Sequence, residues 1–393
     1  MQNPTYYGLE GVSHDAISAF LTDLIEDCLE ALEGAGCVLL EEDDSVVPLP
    51  MGRIASFYYL HYETAAMFGA RLSAATTLEQ CFGVLCAASE YDEMPVRHNE
   101  DCLNAALARD VRTRGGWAVE MRDVDDPHVK VSLLLQCHCL RAPLPISDYV
   151  LDAKSALDQS VRILQAMIDV CCERGWLGPV IHCVRLLQML GQGLWHDASP
   201  LECLPRVNAS LATKAAKAGC PDLAELVRLA SSDPKKALGA MRRGGMQHKD
   251  ADAAIKVCRR LPVVTLSASA PSAAAPGVVV KMACANANAS GSGSSRNAYA
   301  PRFPKVKQEG WYVVLGQESS NWIAALKRVS LHGKASLEVT LPLPEDKLAR
   351  AETRTAGGGA PFDANACEAL TVFLFSDTYV GLDQQTHVMK PAE

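Results

Sequence analysis

The first fifty residues of this 393-residue chain contain no Lys or Arg, but they hold eleven Asp and Glu. The net charge of -9 is concentrated there, since the other 343 residues carry 37 basic and 35 acidic side chains. Binding nucleic acid through counterion release needs clustered positive charge, and the chain as a whole lacks it. Only the block 206–260, with twelve basic against five acidic residues, has that bias. No run of eighteen apolar residues occurs, so no segment is expected to span a bilayer. Met1–Glu10 has neither a basic nor an apolar stretch, which argues against a secretory leader. No Cys-x-x-Cys occurs, and the cysteines number fifteen, an odd count. Several fall in apolar helical stripes, so reduced thiols in the cytosol or nucleus are expected.

Motifs for catalysis are equally scarce. A phosphate-cradling Gly-x-x-x-x-Gly-Lys-Ser/Thr is absent, because Gly333-Lys334 has no upstream partner glycine and is followed by Ala335. Asp92-Glu93-Met94-Pro95 begins like an Asp-Glu-x-His box but ends in proline and follows no apolar strand, so it reads as a helix-ending loop. No Gly-x-Ser-x-Gly elbow exists. Cys137-His138-Cys139 and Cys171-Cys172 are consecutive on predicted helices, where neighbours point in different directions. They therefore read as helix packing, and neither a metal nor another cofactor is expected.

What is present is helical periodicity followed by strands. Ile17, Phe20, Leu21, Leu24, Ile25, Cys28, Leu29 and Leu32 form one stripe, with Ser13 as N-cap and Gly34 and Gly36 at the end. The opposite face carries Asp23, Glu26, Asp27, Glu30 and Glu33, a solvated face or a dock for a basic partner. Further helices are predicted near 52–69, 77–90, 98–110, 127–141, 153–174 and 178–196, with Trp176 and Trp195 as core or edge anchors. Shorter helices fill 200–260, started by Pro205, Pro221 and Pro234. Segments 263–266, 278–282, 311–315, 337–341 and 370–375 are rich in β-branched and aromatic residues and read as strands. Segments 285–298 and 351–360 are low-complexity loops, where a protease is expected to cut first. The order is a helical bundle, a small helical unit and a β-sandwich.

Several long motifs then occur in sequence. Asn3-Pro4-Thr5-Tyr6-Tyr7-Gly8-Leu9 resembles the exit from the winged helix of tandem-cassette DExH helicases. Gly52–Leu60 (Gly-Arg-Ile-Ala-Ser-Phe-Tyr-Tyr-Leu), Pro95–Asp101 (Pro-Val-Arg-His-Asn-Glu-Asp) and His128-Val129-Lys130 before Leu133–Gln136 resemble their C-terminal Sec sixty-three (Brl) module. Pro301–Lys305, Glu309-Gly310-Trp311, Ala325–Val329 and Gly381–Gln385 carry the resemblance to the end. The motif forms are most similar to the coactivator-complex branch of the family, with the spliceosomal branch as runner-up. Both RecA-like domains and almost all of the winged helix are missing from the sequence, which would make it a truncated product or a fragment.

The resemblance implies a multidomain, α then β fold: a winged-helix exit and first bundle helix (1–50), a seven-helix bundle (51–199), a helix-loop-helix unit (200–260) and an immunoglobulin/fibronectin-like sandwich (261–393). It implies a non-catalytic module that guides or clamps a translocating strand, with ATP and magnesium confined to the absent helicase core. The expected partners are single-stranded RNA or DNA, the RecA-like core and other subunits of a helicase complex, in the nucleus or cytoplasm and without a membrane. The family's ratchet helix is placed at 127–141. Val131, Leu134, Leu135 and Cys139 are expected to pack inward, while His128, Lys130, Gln136 and Arg141 reach the strand. Arg242, Arg243, Arg259 and Arg260 are the second candidate contact. The alternative is a protein-interaction scaffold without nucleic-acid binding, like the homologous region of the translocation J-protein. Against that special form, the sequence has neither a His-Pro-Asp triplet nor a membrane span.

Overall fold

The computed structural model describes residues 4–9, 13–43, 45–119, 123–219, 222–271, 277–285, 297–331, 335–343 and 370–388. Stretches 286–296 and 351–360, Pro221, Gly333 and Lys334 lie outside them. Helices come first and antiparallel sheets last. Helix α1 (His14–Gly34) starts as expected, with the Ser13 hydroxyl accepting from the Ala16 N–H. A short hairpin, β1 (Val38–Leu40) and β2 (Val46–Pro48), follows.

The span 52–69 was expected to be one helix, but it is two, α2 (Pro50–Tyr58) and α3 (Tyr62–Arg71). Between them Tyr59 is left-handed, at φ 58°, a conformation in which its N–H closes α2 on the carbonyls of Ala55 and Ser56. Gly52 in α2 is dictated by crowding, because a Cβ there would sit 2.1 Å from the Cys37 carbonyl oxygen.

The main helical body holds α4 (Leu78–Cys86), α5 (Glu100–Thr113), α6 (Pro127–Leu140), α7 (Ser147–Glu173) and α8 (Leu177–Gln192). The smaller helices are α9 (Ala209–Lys217), α10 (Leu223–Ser232), α11 (Pro234–Arg243) and α12 (His248–Cys258). Pro234 does open α11, but Pro205 opens nothing. Helix α9 begins four residues later, where the Asn208 side chain caps the Leu211 N–H. Among the described residues, no helix is long and apolar enough to cross a membrane.

Strands β3 (Val264–Ser269), β4 (Val278–Cys284) and β7 (Ser336–Leu341) form one antiparallel sheet in the order β3-β4-β7. Strands β5 (Trp311–Gln317), β6 (Trp322–Val329), β8 (Thr371–Ser376) and β9 (Gln384–His387) form the other, ordered β6-β5-β8-β9.

The second sheet is covered on both faces, and its alternation shows how. Trp311, Val313 and Leu315 of β5, with Val372 and Leu374 of β8, join a core shared with the first sheet and helices α9–α12. Tyr312, Val314, Phe373 and Phe375 face the other way, into the core of helices α4, α6, α7 and α8. Strands buried on both faces read as continuous apolar runs, which is why 311–315 and 370–375 were visible in the sequence.

Candidate nucleic-acid interface

Helix α6 forms where the caps placed it. The Asp126 carboxylate accepts from the N–H groups of His128 and Val129, and Pro127 occupies the first turn. Val131, Leu134, Leu135 and Cys139 are buried, as their stripe required. The outward reach expected of Lys130 and Gln136 needs correction, because both are turned inward and buried. Lys130 lies one turn before Leu134, so the spacing that buries the leucine buries the lysine as well.

The Lys130 ammonium donates to the Pro95 carbonyl at 2.6 Å, Glu100 Oε2 at 2.6 Å and Asp152 Oδ2 at 2.7 Å. It also lies 4.7 Å from the centre of the Tyr149 ring. Arg97 completes the group, with Nη1 3.0 Å from Glu100 Oε1 and 2.7 Å from Asp152 Oδ2. Burial pushes the carboxyls of Glu100 and Asp152 up, but the hydrogen bonds from Lys130 and Arg97 outweigh it and hold both below the usual carboxylate range. Motif Pro95–Asp101 is thus the loop that delivers Arg97 and Glu100 to the lysine, tying α5, α6 and α7 together. The sequence reading assigned these three partners no role. The signal was a charged residue at an inward helical position, which requires opposite charge nearby.

The other α6 candidates also have internal partners. Gln136 Oε1 accepts from the Trp117 N–H at 2.7 Å. Gly116 permits this approach, because a Cβ there would meet Val111 at 2.4 Å and Gln136 at 2.9 Å. The half-buried His128 ring joins the Cys86 carbonyl at 2.8 Å and Asp92 at 2.9 Å. Arg141, itself left-handed at φ 56°, donates to the carbonyls of Gly193 and Glu202 and so fastens the end of α6 to the end of α8. Cys137 and Cys139 diverge into different core clusters, while His138 bonds the Leu190 carbonyl at 2.7 Å.

The four arginines near the small helices are placed differently. Arg242 and Arg243 lie in the last turn of α11, Arg259 and Arg260 directly after α12, and all four are exposed. No acidic partner pairs with any of them among the described residues. In the chain, α12, about 16 Å long, lies between the two pairs.

Helix α7 adds a polar stripe that the sequence reading did not single out. Lys154, Ser155 and Asp158 are exposed along one face of its 27 residues, with Arg162 half-buried below them. Lys305, from the Pro301–Lys305 motif, reaches across to Asp158 at 2.6 Å.

The same stretches carry the family likeness. The model of the Sec63 Brl domain matches residues 48–389. The chain belongs to the Sec63 Brl domain family. A winged helix-turn-helix domain model matches residues 1–42. Neither matched region is a RecA-like domain.

This Brl chain is 41% identical over 346 residues to the DExH-box ATP-dependent RNA helicase DExH14 of Arabidopsis thaliana, a match covering 87% of the chain and 15% of the relative. It is 32% identical over 417 residues to the activating signal cointegrator 1 complex subunit 3 of Dictyostelium discoideum, covering 97% and 18%. Against the U5 small nuclear ribonucleoprotein 200 kDa helicase of Homo sapiens it is 30% identical over 389 residues, covering 98% and 17%. The Brl chain spans less than a fifth of the length of these relatives.

Proposed function

We propose that this Brl chain is the non-catalytic accessory module of an ATP-dependent nucleic-acid helicase, guiding the single strand that the motor translocates. The observation that carries the reading is the set Arg242, Arg243, Arg259 and Arg260. These are four exposed guanidinium groups, without acidic partners among the described residues, on a unit whose local charge is positive. Arginines so placed neutralise phosphates and carry no base preference, as a module that grips a moving strand requires.

Helix α6 serves this role from inside, as the girder that Lys130, Gln136, His128 and Arg141 brace. The strand-facing helix of the bundle is α7, whose exposed Lys154 and Ser155 lie on the stripe next to Lys305. The immunoglobulin-like description of the two sheets and the seven-helix count of the bundle belong to this reading. So do a helicase RecA-like core as partner, further complex subunits, and a place in the nucleus or cytoplasm.

The test is anisotropy of labelled single-stranded RNA and DNA across a salt series. Each arginine replaced by alanine should shrink the slope of log affinity against log salt by about 0.7. The variant carrying Arg242→Ala, Arg243→Ala, Arg259→Ala and Arg260→Ala should lose most of its binding while keeping its circular dichroism. Equal affinity and slope for this variant and the unaltered chain would reject the arginines as phosphate ligands. No measurable strand binding by the unaltered chain at low salt would favour the scaffold reading instead.

A further inference from the structure

Three thiols and an imidazole meet where α4, α7 and α8 pack together. Cys81 of α4, Cys171 of α7 and Cys183 of α8 are free thiols, show none of their surface and lie in one core cluster. They form a hydrogen-bonded chain, Cys81 to Cys183 and Cys183 to Cys171. His182, half-buried beside them, is hydrogen-bonded to the Cys81 thiol. Its Nδ1 lies 2.9 Å from the Thr76 carbonyl oxygen. A carbonyl only accepts, so Nδ1 carries the ring hydrogen and Nε2 can take a proton. Among the described residues, no group of three or more His, Cys, Asp and Glu could hold a metal ion, so the set is read as a thiol network.

The network is asymmetric. Burial pushes the thiols of Cys86, Cys137 and Cys139 up, as an apolar core does to an inert cysteine. Cys81 goes the other way. Its hydrogen bonds to Cys183 and then to His182 outweigh burial and hold it below the usual thiol range. The same contact with Cys81 raises His182. Cys183 is pushed well up by its hydrogen bonds to Cys171 and Cys81 and by burial. Cys81 therefore gives up its proton first, with His182 placed to receive it, while Cys183 keeps its own. Cys81 also sits one turn into the nine-residue α4, with its N–H on the Thr77 carbonyl at 2.8 Å. Thr77, Glu79 and Gln80 of that turn are exposed, so fraying of the turn opens the sulfur to a small solute.

We infer that Cys81 and Cys183 are a peroxide-responsive dithiol, with Cys81 as the attacking sulfur, His182 as its base and Cys183 as the resolving thiol. His182 takes the Cys81 proton. The thiolate attacks one oxygen of hydrogen peroxide, so an S–O bond forms and the O–O bond breaks. The hydroxide that leaves takes the proton back from His182 and becomes water. Cys81 is now a sulfenic acid. Neutral His182 is again available as base, and the Cys183 sulfur attacks that of Cys81. The S–S bond forms, the S–O bond breaks, and the departing hydroxide leaves as water with the Cys183 proton. Two thiols lose two electrons and one peroxide becomes two waters. The bond ties α4 to α8, and a dithiol reductant reverses it. The inference is independent of strand guidance, because none of these residues belongs to the proposed strand contact.

In the experiment the reduced full chain is treated with a modest excess of hydrogen peroxide, quenched with N-ethylmaleimide and digested for mass spectrometry. The first disulfide should be a Cys81–Cys183 peptide pair that dithiothreitol separates. Cys183→Ser should stop the reaction at the sulfenic acid, so that dimedone labels Cys81. His182→Gln should slow the loss of the Cys81 thiol about tenfold at neutral pH, and the gap should narrow in alkali, where the thiol ionises without a base. Cys102→Ser, which removes an exposed thiol outside the network, should change nothing. The link is read in the unaltered chain, so a variant that folds poorly cannot decide the matter. Its rate should be the same in urea too dilute to unfold the chain. A rate that follows the globally unfolded fraction would overturn the proposal, because the thiols would then react only outside the fold. So would a Cys171–Cys183 link formed first, oxidation of Cys28 or Cys102 with Cys81 untouched, or equal rates for a folded His182→Gln variant and the unaltered chain.

Discussion

Lys130 donates to three oxygens and shows none of its surface to solvent. Removing one member of a buried ionic group strands the others, at a cost of about 3–5 kcal/mol. Lys130→Ala should therefore lower the urea midpoint severely, whereas Lys154→Ala on the exposed stripe of α7 should leave it unchanged. Because Glu100 and Asp152 are held below the usual carboxylate range, their contribution is present at neutral pH and is lost as pH falls below about 4. Asp383 has the opposite sign. Burial pushes its carboxyl up to about 6, although the Gln188 amide and the Ser376 N–H donate to it. A raised carboxyl favours the folded state in its neutral form, so its contribution is lost as pH rises through about 6. Thermal melts of the unaltered chain should gain stability as pH drops from 7 to 5, and Asp383→Asn should flatten that rise.

At the scale of elements, the kink between α2 and α3 turns on one residue. Tyr58 is fixed by its hydroxyl on Asp169 and by Arg328, and the Arg162 guanidinium holds the carbonyls of Tyr58 and Tyr59. Tyr59 is thereby kept left-handed at 90% exposure. A non-glycine residue pays about 1 kcal/mol for that conformation, and Asn tolerates it better. Tyr59→Asn should raise the unfolding free energy by a few tenths to about 1 kcal/mol, read from urea titration. The break was not legible in the sequence, because helical spacing continues through Tyr58–Leu60 without proline or glycine. By contrast, α1, α6 and α11 were legible from Ser13, Asp126-Pro127 and Pro234, which act on adjacent backbone. Strands β6 and β9 were missed for a tertiary reason. Residues 324–329 include Ala-Ala and Lys-Arg, and β9 begins Gln-Gln, so both draw their strand character from their neighbours β5 and β8. Among the candidate site residues, the exposed arginines could be read from local charge. The inward turn of Lys130 could be read from its spacing to Leu134, but its partners could not, because Arg97, Glu100 and Asp152 meet it only through the fold.

For the whole molecule, the matched regions supply no motor. Purified chain should show no nucleic-acid-stimulated ATP hydrolysis above a buffer blank in a coupled assay, while the same chain joined to a RecA-like core should. How a motor's work would pass through the module depends on β5. Its odd residues belong to one core and its even residues to the other. A one-residue slip would push Trp311 into the space of Tyr312 and disorder both cores at once. The strand therefore acts as a stiff strut with no slack between the bundle and the sheets. A pull applied at the last strand should therefore reach α7 and α8, which pack on the same sheet. Stretched between its ends in an optical trap, the protein should come apart in one large rip rather than in separate steps for helices and sheets.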